Sequence, residues 1–331
     1  EGPVFLPASG EVACVSNRLP APGGGQRVEM SAVHLASGAV RRIRPCPPLP
    51  MLNGACAGPR GRLVVCFQGE GANGGGLASL DPASGAAELL AHRAAGPRHR
   101  CHFNSPNDVC LAPGGRRLYF TDPSYGFAQG FRSTAADAAT APADEDDDAG
   151  CGAGPLPPAV YTMALPSGAV EVAATGFSQP NGVCVSPCGS VCYVTDTGWA
   201  VGDGTVDEGR PRAIYACALR DGGARLAGKE LLARVDVGVP DGIKCSADGS
   251  LWVGCGDGVR VYSSGGDHLG TIEVEGGVAN LCFAGAGYRE LVLCNEERMI
   301  AVPVAAAGAE ASLCPGDKAS PRQPAVLCPG N

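Results

Sequence analysis

The chain has 331 residues with a formal net charge of −8; 45% are hydrophobic and 18% charged, with 50 glycines, 28 prolines and 17 cysteines. Its Lys and Arg cluster only in short pieces such as Arg41, Arg42 and Arg44, so it lacks the basic face that nucleic-acid binding requires. No run approaches the roughly 18 consecutive apolar residues of a membrane span.

Abundant glycine and proline with few charges point to short strands joined by tight turns, not to helices or disorder. In chain order, the first candidate hairpin is EGPVFLPASGEVACV from Glu1, and the second is LNGACAGPRGRLVVC from Leu52. SPNDVCLAPGGRRLYFTD follows from Ser105 to Asp122, and QPNGVCVSPCGSVCYVTD runs from Gln179 to Asp196. VPDGIKCSADGSLWVGC spans Val239 to Cys255, and VANLCFAGAGYRELVLC begins at Val278. Each holds a polar residue, a short apolar strand, a turn rich in Gly, Pro or Asp, and a second apolar strand. Segments such as Ala159–Ala164 and Arg212–Ala218 supply further strands between them.

The six copies align at Glu1, Asn53, Asn107, Asn181, Asp241 and Ala279, at intervals of 52, 54, 74, 60 and 38 residues. Periods near ~40–50 residues belong to four-stranded propeller blades. The expectation is an all-β, six-bladed propeller forming a single domain over residues 1–312. The long interval holds a low-complexity insertion, about 131–156, with an acidic run from Asp144 to Asp148. Its composition predicts a solvated, disordered surface loop. A Pro/Gly-rich tail occupies 313–331.

Three residues beyond the aligned position stand Val4, Cys56, Cys110, Cys184, Lys244 and Cys282. Cysteine recurring at one strand position of separate blades reads as a small apolar residue packed between sheets, so most cysteines are expected to be free thiols.

In a propeller the innermost strands run alike along the axis, so the aligned residues ring the channel at one height. Five of the six carry a carboxylate or amide, and converging them is costly unless something satisfies their oxygens. A hard cation does so, calcium ahead of zinc or magnesium. Asn-Gly, Asn-Asp and Asp-Gly are also ordinary turn dipeptides, but that does not account for Glu1 in the same register.

These motifs give the chain its resemblance to the gluconolactonase family, which includes senescence-marker-protein lactonases and luciferin-regenerating enzymes. The resemblance runs from Glu1 to about Asn295 and rests on EGPV at Glu1–Val4, NSPNDV at Asn104–Val109, YFTDPSYGF at Tyr119–Phe127, PNGVCVSP at Pro180–Pro187, PDGIK at Pro240–Lys244 and GGVANLCF at Gly276–Phe283. It implies a divalent metal held by Glu1, Asn181 and Asp241, with Asn107 as a fourth ligand or a substrate contact. Relatives carry residues ahead of EGP that pair with the last blade, and none precedes Glu1 here. An imperfectly closed ring is therefore expected.

The function expected is metal-dependent opening of a small lactone to its hydroxy acid, with Asp241 assisting water attack and Asn107 beside it. Asn53, His102, Ser105 and Tyr125 are candidate substrate contacts, and Trp199 a candidate wall. Asp122 and Asp196, each closing a Thr-Asp pair, read as turn caps. Phosphotriester or other ester hydrolysis would use the same ligands, and a propeller can also serve as a non-enzymatic binding scaffold. The protein is expected to be a monomer with a small-molecule partner. The chain starts at Glu1 without a methionine, which leaves the compartment unread from this end; a cytoplasmic location is favoured over secretion.

Overall fold

A computed structural model describes residues 1–93, 101–133, 155–296 and 298–309. Each predicted hairpin forms the inner half of a radial antiparallel sheet. Blade 1 contains β1 (Val4–Leu6), β2 (Glu11–Val15), β5 (Met30–His34) and β6 (Val40–Ile43), with a small hairpin of β3 (Leu19–Pro20) and β4 (Gln26–Arg27) between β2 and β5. Blade 2 is β7 (Leu52–Ala57), β8 (Leu63–Glu70), β9 (Asn73–Leu80) and β10 (Ala87–Ala91). Blade 3 is β11 (Val109–Leu111), β12 (Arg117–Asp122), β13 (Ala159–Ala164) and β14 (Val170–Ala174), with the short helix α1 (Tyr125–Ala128) after β12. Blade 4 is β15 (Pro180–Val185), β16 (Val191–Asp196), β17 (Ala213–Arg220) and β18 (Arg225–Arg234). Blade 5 is β19 (Ile243–Cys245), β20 (Leu251–Cys255), β21 (Gly258–Tyr262) and β22 (His268–Glu273). Blade 6 is β23 (Asn280–Ala284), β24 (Glu290–Cys294) and β25 (Met299–Pro303), three strands among the described residues.

The apolar cores lie between blades. Val4, Val15 and Met30 of blade 1 pack with Leu52, Leu63 and Leu80 of blade 2, and five further clusters follow around the ring. Innermost strands touch in sequence from β1 to β23, and β23 lies against β1. The innermost strands therefore meet all the way round, while blade 6 has three strands among the described residues against four in each other blade, so the incomplete closure expected concerns the outer part of blade 6 and not the inner ring. Among the described residues, the sixth junction, where Val12 meets Cys282, Ala284 and Val292, holds the fewest buried apolar residues.

The cysteine column sits at these junctions. Cys56, Cys110 and Cys184 each pack with the cluster leading to the next blade, and Cys282 packs against Val12. Thirteen described cysteines stand outside any disulfide, while Cys101 is disulfide-bonded. Burial raises the Cys110 and Cys184 thiols well above their usual range, which keeps them protonated and unreactive.

The insertion is ordered at both edges that can be described. Phe131 and Arg132 are buried, so a solvated loop starting at Phe131 is corrected at that end. The Arg132 guanidinium donates to the carbonyls of Asn104 at 2.8 Å and Gly71 at 2.6 Å. Burial lowers its affinity for the proton to a pKa of about 10. At the other edge, Leu156 N donates to the Asn104 side chain at 2.7 Å. The acidic run and the Pro/Gly tail lie outside the described residues.

Candidate active site

Glu1, Asn53, Asn107, Asn181 and Asp241 converge from five blades on one cavity of about 720 Å³, also lined by Tyr125 of α1. The glycines following these residues explain how the inner strands approach so closely. A Cβ on Gly2, Gly54 or Gly182 would collide with the backbone oxygen of Asn53, Asn107 or Asp241 in the next blade. Two of them have ordinary φ, and only Gly2 takes a positive φ, of 54°. Close approach of neighbouring strands, more than turn geometry, is what places glycine there.

Threonine and aspartate from the second strands then fix the ring. The Thr121 hydroxyl accepts from Asp108 N at 3.0 Å and donates to the carbonyl of Asn181 at 2.6 Å. Thr195 repeats the device one blade on, accepting from Gly182 N at 2.7 Å and donating to Asp241 O at 2.7 Å. Asp122 accepts from the N–H groups of Asn104 and Ser105 at 3.0 and 2.9 Å, and Asp196 from Ser178 and Gln179, both at 2.8 Å. The Thr-Asp pairs thus hold the segments that deliver Asn107 and Asn181. Burial outweighs these donors at Asp122 and lifts its carboxyl to a pKa of about 7.

Blade 3 has Asp108 where blades 1, 2, 4 and 5 have Gly2, Gly54, Gly182 and Gly242. Its buried carboxylate accepts from Val109 N at 2.9 Å and lies 3.6 Å from the Lys244 ammonium of blade 5. Burial raises its pKa, and Lys244 opposes the shift.

Asp241 is the electrostatic centre of the cavity. Burial first, and then the Glu1 carboxylate, push its carboxyl well above the usual range. Among the described residues, Asp241 Oδ1 and Asn53 Oδ1 are buried without a hydrogen-bond partner. Two orphaned oxygens and a second carboxylate are the environment a hard cation would relieve. The donor set is all oxygen: Glu1 and Asp241 carboxylates with amides of Asn107 and Asn181. Among the described residues no group of three or more His, Cys, Asp or Glu is placed to hold a metal. An all-oxygen set of carboxylates and amides is the kind of shell that a calcium-type ion takes, and it holds none of the sulfur or imidazole of a zinc site.

Two candidates stand apart from this cavity. Ser105 is fully buried; its hydroxyl donates to Pro123 O at 2.7 Å and accepts from Gly126 N at 3.0 Å. His102 packs its ring 5.9 Å from that of His92, and burial lowers its pKa. Neither is among the lining residues. Trp199 also stands outside them, with the Arg212 guanidinium 5.0 Å from its ring. Tyr125 does line the cavity, its hydroxyl anchored on Thr197 and on Ala200 O.

The wall includes residues that repeat register does not reveal: Gln68, Thr197, Gln129, Glu296, and Arg18 with Gln26 of the β3–β4 hairpin. Thr197 stands just past the end of β16, the one sequence signal that could have found it, while Gln68 lies within β8.

Residues 28–295 match the family described as the SMP-30/gluconolactonase/LRE-like region. The chain belongs to that family. A gluconolactonase of Zymomonas mobilis is 27% identical to this SMP-30/gluconolactonase/LRE-like chain over 247 residues, covering 72% of it and 59% of the relative. A lactonohydrolase of Aspergillus oryzae is 27% identical, covering 65% of the chain and 47% of the relative. The chain thus spans about half to three-fifths of the length of these curated relatives. Among solved structures, a gluconolactonase of Xanthomonas campestris superposes with a TM-score of 0.67 at 28% identity, covering 92% of this chain and 85% of that one. A calcium-binding regucalcin of Agrobacterium tumefaciens shares the fold, with a TM-score of 0.59 at 22% identity, covering 88% and 80%.

Proposed function

We propose that this chain is a metal-dependent hydrolase that opens a small lactone to its hydroxy acid. The observation that carries the reading is the unpartnered Oδ1 of Asp241, beside Glu1, Asn107 and Asn181 in one cavity. Membership of a family with lactone-hydrolysing relatives supports it.

In this reading Glu1, Asn181 and Asp241 hold a divalent cation, calcium by the oxygen chemistry of the set, and Asn107 completes the shell or orients substrate. A bound cation would polarise the lactone carbonyl and stabilise the charge that develops on its oxygen. Asp241 accepts a proton from water as the water oxygen bonds to the carbonyl carbon. The ring C–O bond breaks, and its oxygen takes up a proton to become the hydroxyl of the product. Asn53 offers its free oxygen to a substrate hydroxyl, and Tyr125 walls the pocket.

The test is initial rate on a panel of reactive lactones, with and without chelator, for the protein and for Asp241→Asn. Loss of about 10²–10⁴-fold in turnover is expected for the variant, and comparable loss on chelation, reversed by calcium. Near-full activity of Asp241→Asn with its fold intact by circular dichroism would sink the assignment. An inert protein that still bound lactones would favour a binding scaffold.

A further inference from the structure

One wall of the cavity does not belong to the ring of strands. It is the loop between β2 and β5, folded back as the β3–β4 hairpin, which lines the cavity with Asn17, Arg18, Leu19 and Gln26 among others. This strap is clasped on both sides. Asn17 Nδ2 donates to Glu296 O at 2.8 Å and to its Oε2 at 3.0 Å, on the blade 6 side. Gln26 Nε2 donates to Gln129 O at 3.0 Å, just past α1 on the blade 3 side.

Arg18 lies between the two clasps, and its Nη1 donates to Gln26 Oε1 at 3.3 Å. It is the only Lys or Arg side chain among the described residues lining the cavity, which also presents the carboxylates of Glu1, Asp241 and Glu296. Arg18 makes no ion pair with any described residue. Glu296 is engaged by Asn17, and Glu1 and Asp241 belong to the candidate cation site. A guanidinium held at a cavity wall, with carboxylates nearby that it does not pair with, is available to an anion brought by a ligand.

We propose that Arg18 recognises a carboxylate carried by the substrate away from its lactone ring, so that the site prefers lactones of sugar diacids to neutral aldonolactones. This rests on the lactone-hydrolase reading and names its substrate class. Gln26, held by Gln129, acts as a positioning residue that orients the guanidinium. The planar fork of Arg matches a carboxylate in two hydrogen bonds, a geometry that the lysine ammonium cannot reproduce.

The experiment compares D-glucaro-1,4-lactone with D-glucono-1,4-lactone, which share a ring and differ in a terminal carboxylate against a hydroxymethyl group. kcat/KM is measured for the protein and for Arg18→Met and Arg18→Lys, at low and high ionic strength. The protein is expected to favour the acidic lactone. Arg18→Met should lose about tenfold on that substrate alone, with Arg18→Lys between the two and the neutral lactone changed less than about twofold. Because Arg18 is exposed, added salt should shrink the preference. Hydrolysis of both lactones without discrimination, or an equal loss on both in Arg18→Met, overturns the role of Arg18 while leaving the hydrolase reading intact. Failure to open either lactone, or any other lactone of a panel, with calcium present overturns both.

Discussion

The hydroxyl of Thr195 joins two blades at the point where the chemistry is proposed to occur. It takes the Gly182 N–H of its own blade and gives its proton to the carbonyl of Asp241 in the next. Asp241 is thereby fixed from behind, while its carboxylate stays free to face the cavity. Thr195→Val keeps the shape and removes the hydroxyl, leaving a buried N–H and a buried carbonyl unpaired. A cost of about 1–3 kcal/mol in denaturant unfolding is expected, with weaker calcium binding in a titration because Asp241 loses its support. Thr205→Val, at an exposed position whose hydroxyl bonds to Asp203, serves as control and should change neither. Equal behaviour of the two variants would show that Thr195 positions nothing. The sequence offered a turn cap for the Asp of each Thr-Asp pair, which describes its bonds to local N–H groups. The inter-blade role of the Thr was not legible, because its partner lies 46 residues away.

At the scale of the strand, glycine separates what holds the ring from what decorates it. Gly182 has no Cβ because the backbone oxygen of Asp241 and the Gly242 Cα occupy that space. Gly182→Ala would force β15 away from β19, and overpacking of this kind costs about 1–3 kcal/mol. Gly270 in β22 is the counterpart: nothing stands within 4 Å of a Cβ built there. Gly270→Ala should be neutral or slightly stabilising, since it only restricts the unfolded chain. Thermal unfolding of the two variants checks this, and a Gly182→Ala protein as stable as the parent would refute the close-approach argument. The six inner hairpins were legible because Asn-Gly, Asp-Gly and the alternating apolar residues recur in register. The predicted strand Ala159–Ala164 is found with those bounds as β13. The β3–β4 hairpin was not legible, since its two-residue strands carry no apolar period. Arg18 and Gln26 carry no register signal for the same reason, while Ser105 and His102 stand near Asn107 in sequence but outside the cavity lining.

For the whole molecule, the inner ring closes by packing β1 on β23, and among the described residues the junction between blades 6 and 1 is the most thinly packed of the six. The proposed cation site draws Glu1 from blade 1, Asn107 from blade 3, Asn181 from blade 4 and Asp241 from blade 5. An ion bound there would tie four blades together, among them one that forms the weakest junction. Binding to the folded state alone stabilises it by about 2.7 kcal/mol when the free ion stands at a hundred times its Kd. The unfolded chain separates these ligands widely in sequence and should compete little for the ion. Unfolding temperature should therefore rise with calcium concentration and continue to rise logarithmically past saturation of the site, by several degrees in all. Chelator should reverse the shift, and magnesium should give a smaller one because it demands tighter octahedral geometry. In Asp241→Asn the rise should largely disappear, while the unfolding temperature without calcium should match or exceed that of the parent, because a buried carboxylate beside Glu1 has been neutralised. Differential scanning calorimetry across a calcium series measures both. A calcium-dependent rise of equal size in the parent and the variant would place the ion elsewhere, and no rise at all would remove the metal from the mechanism.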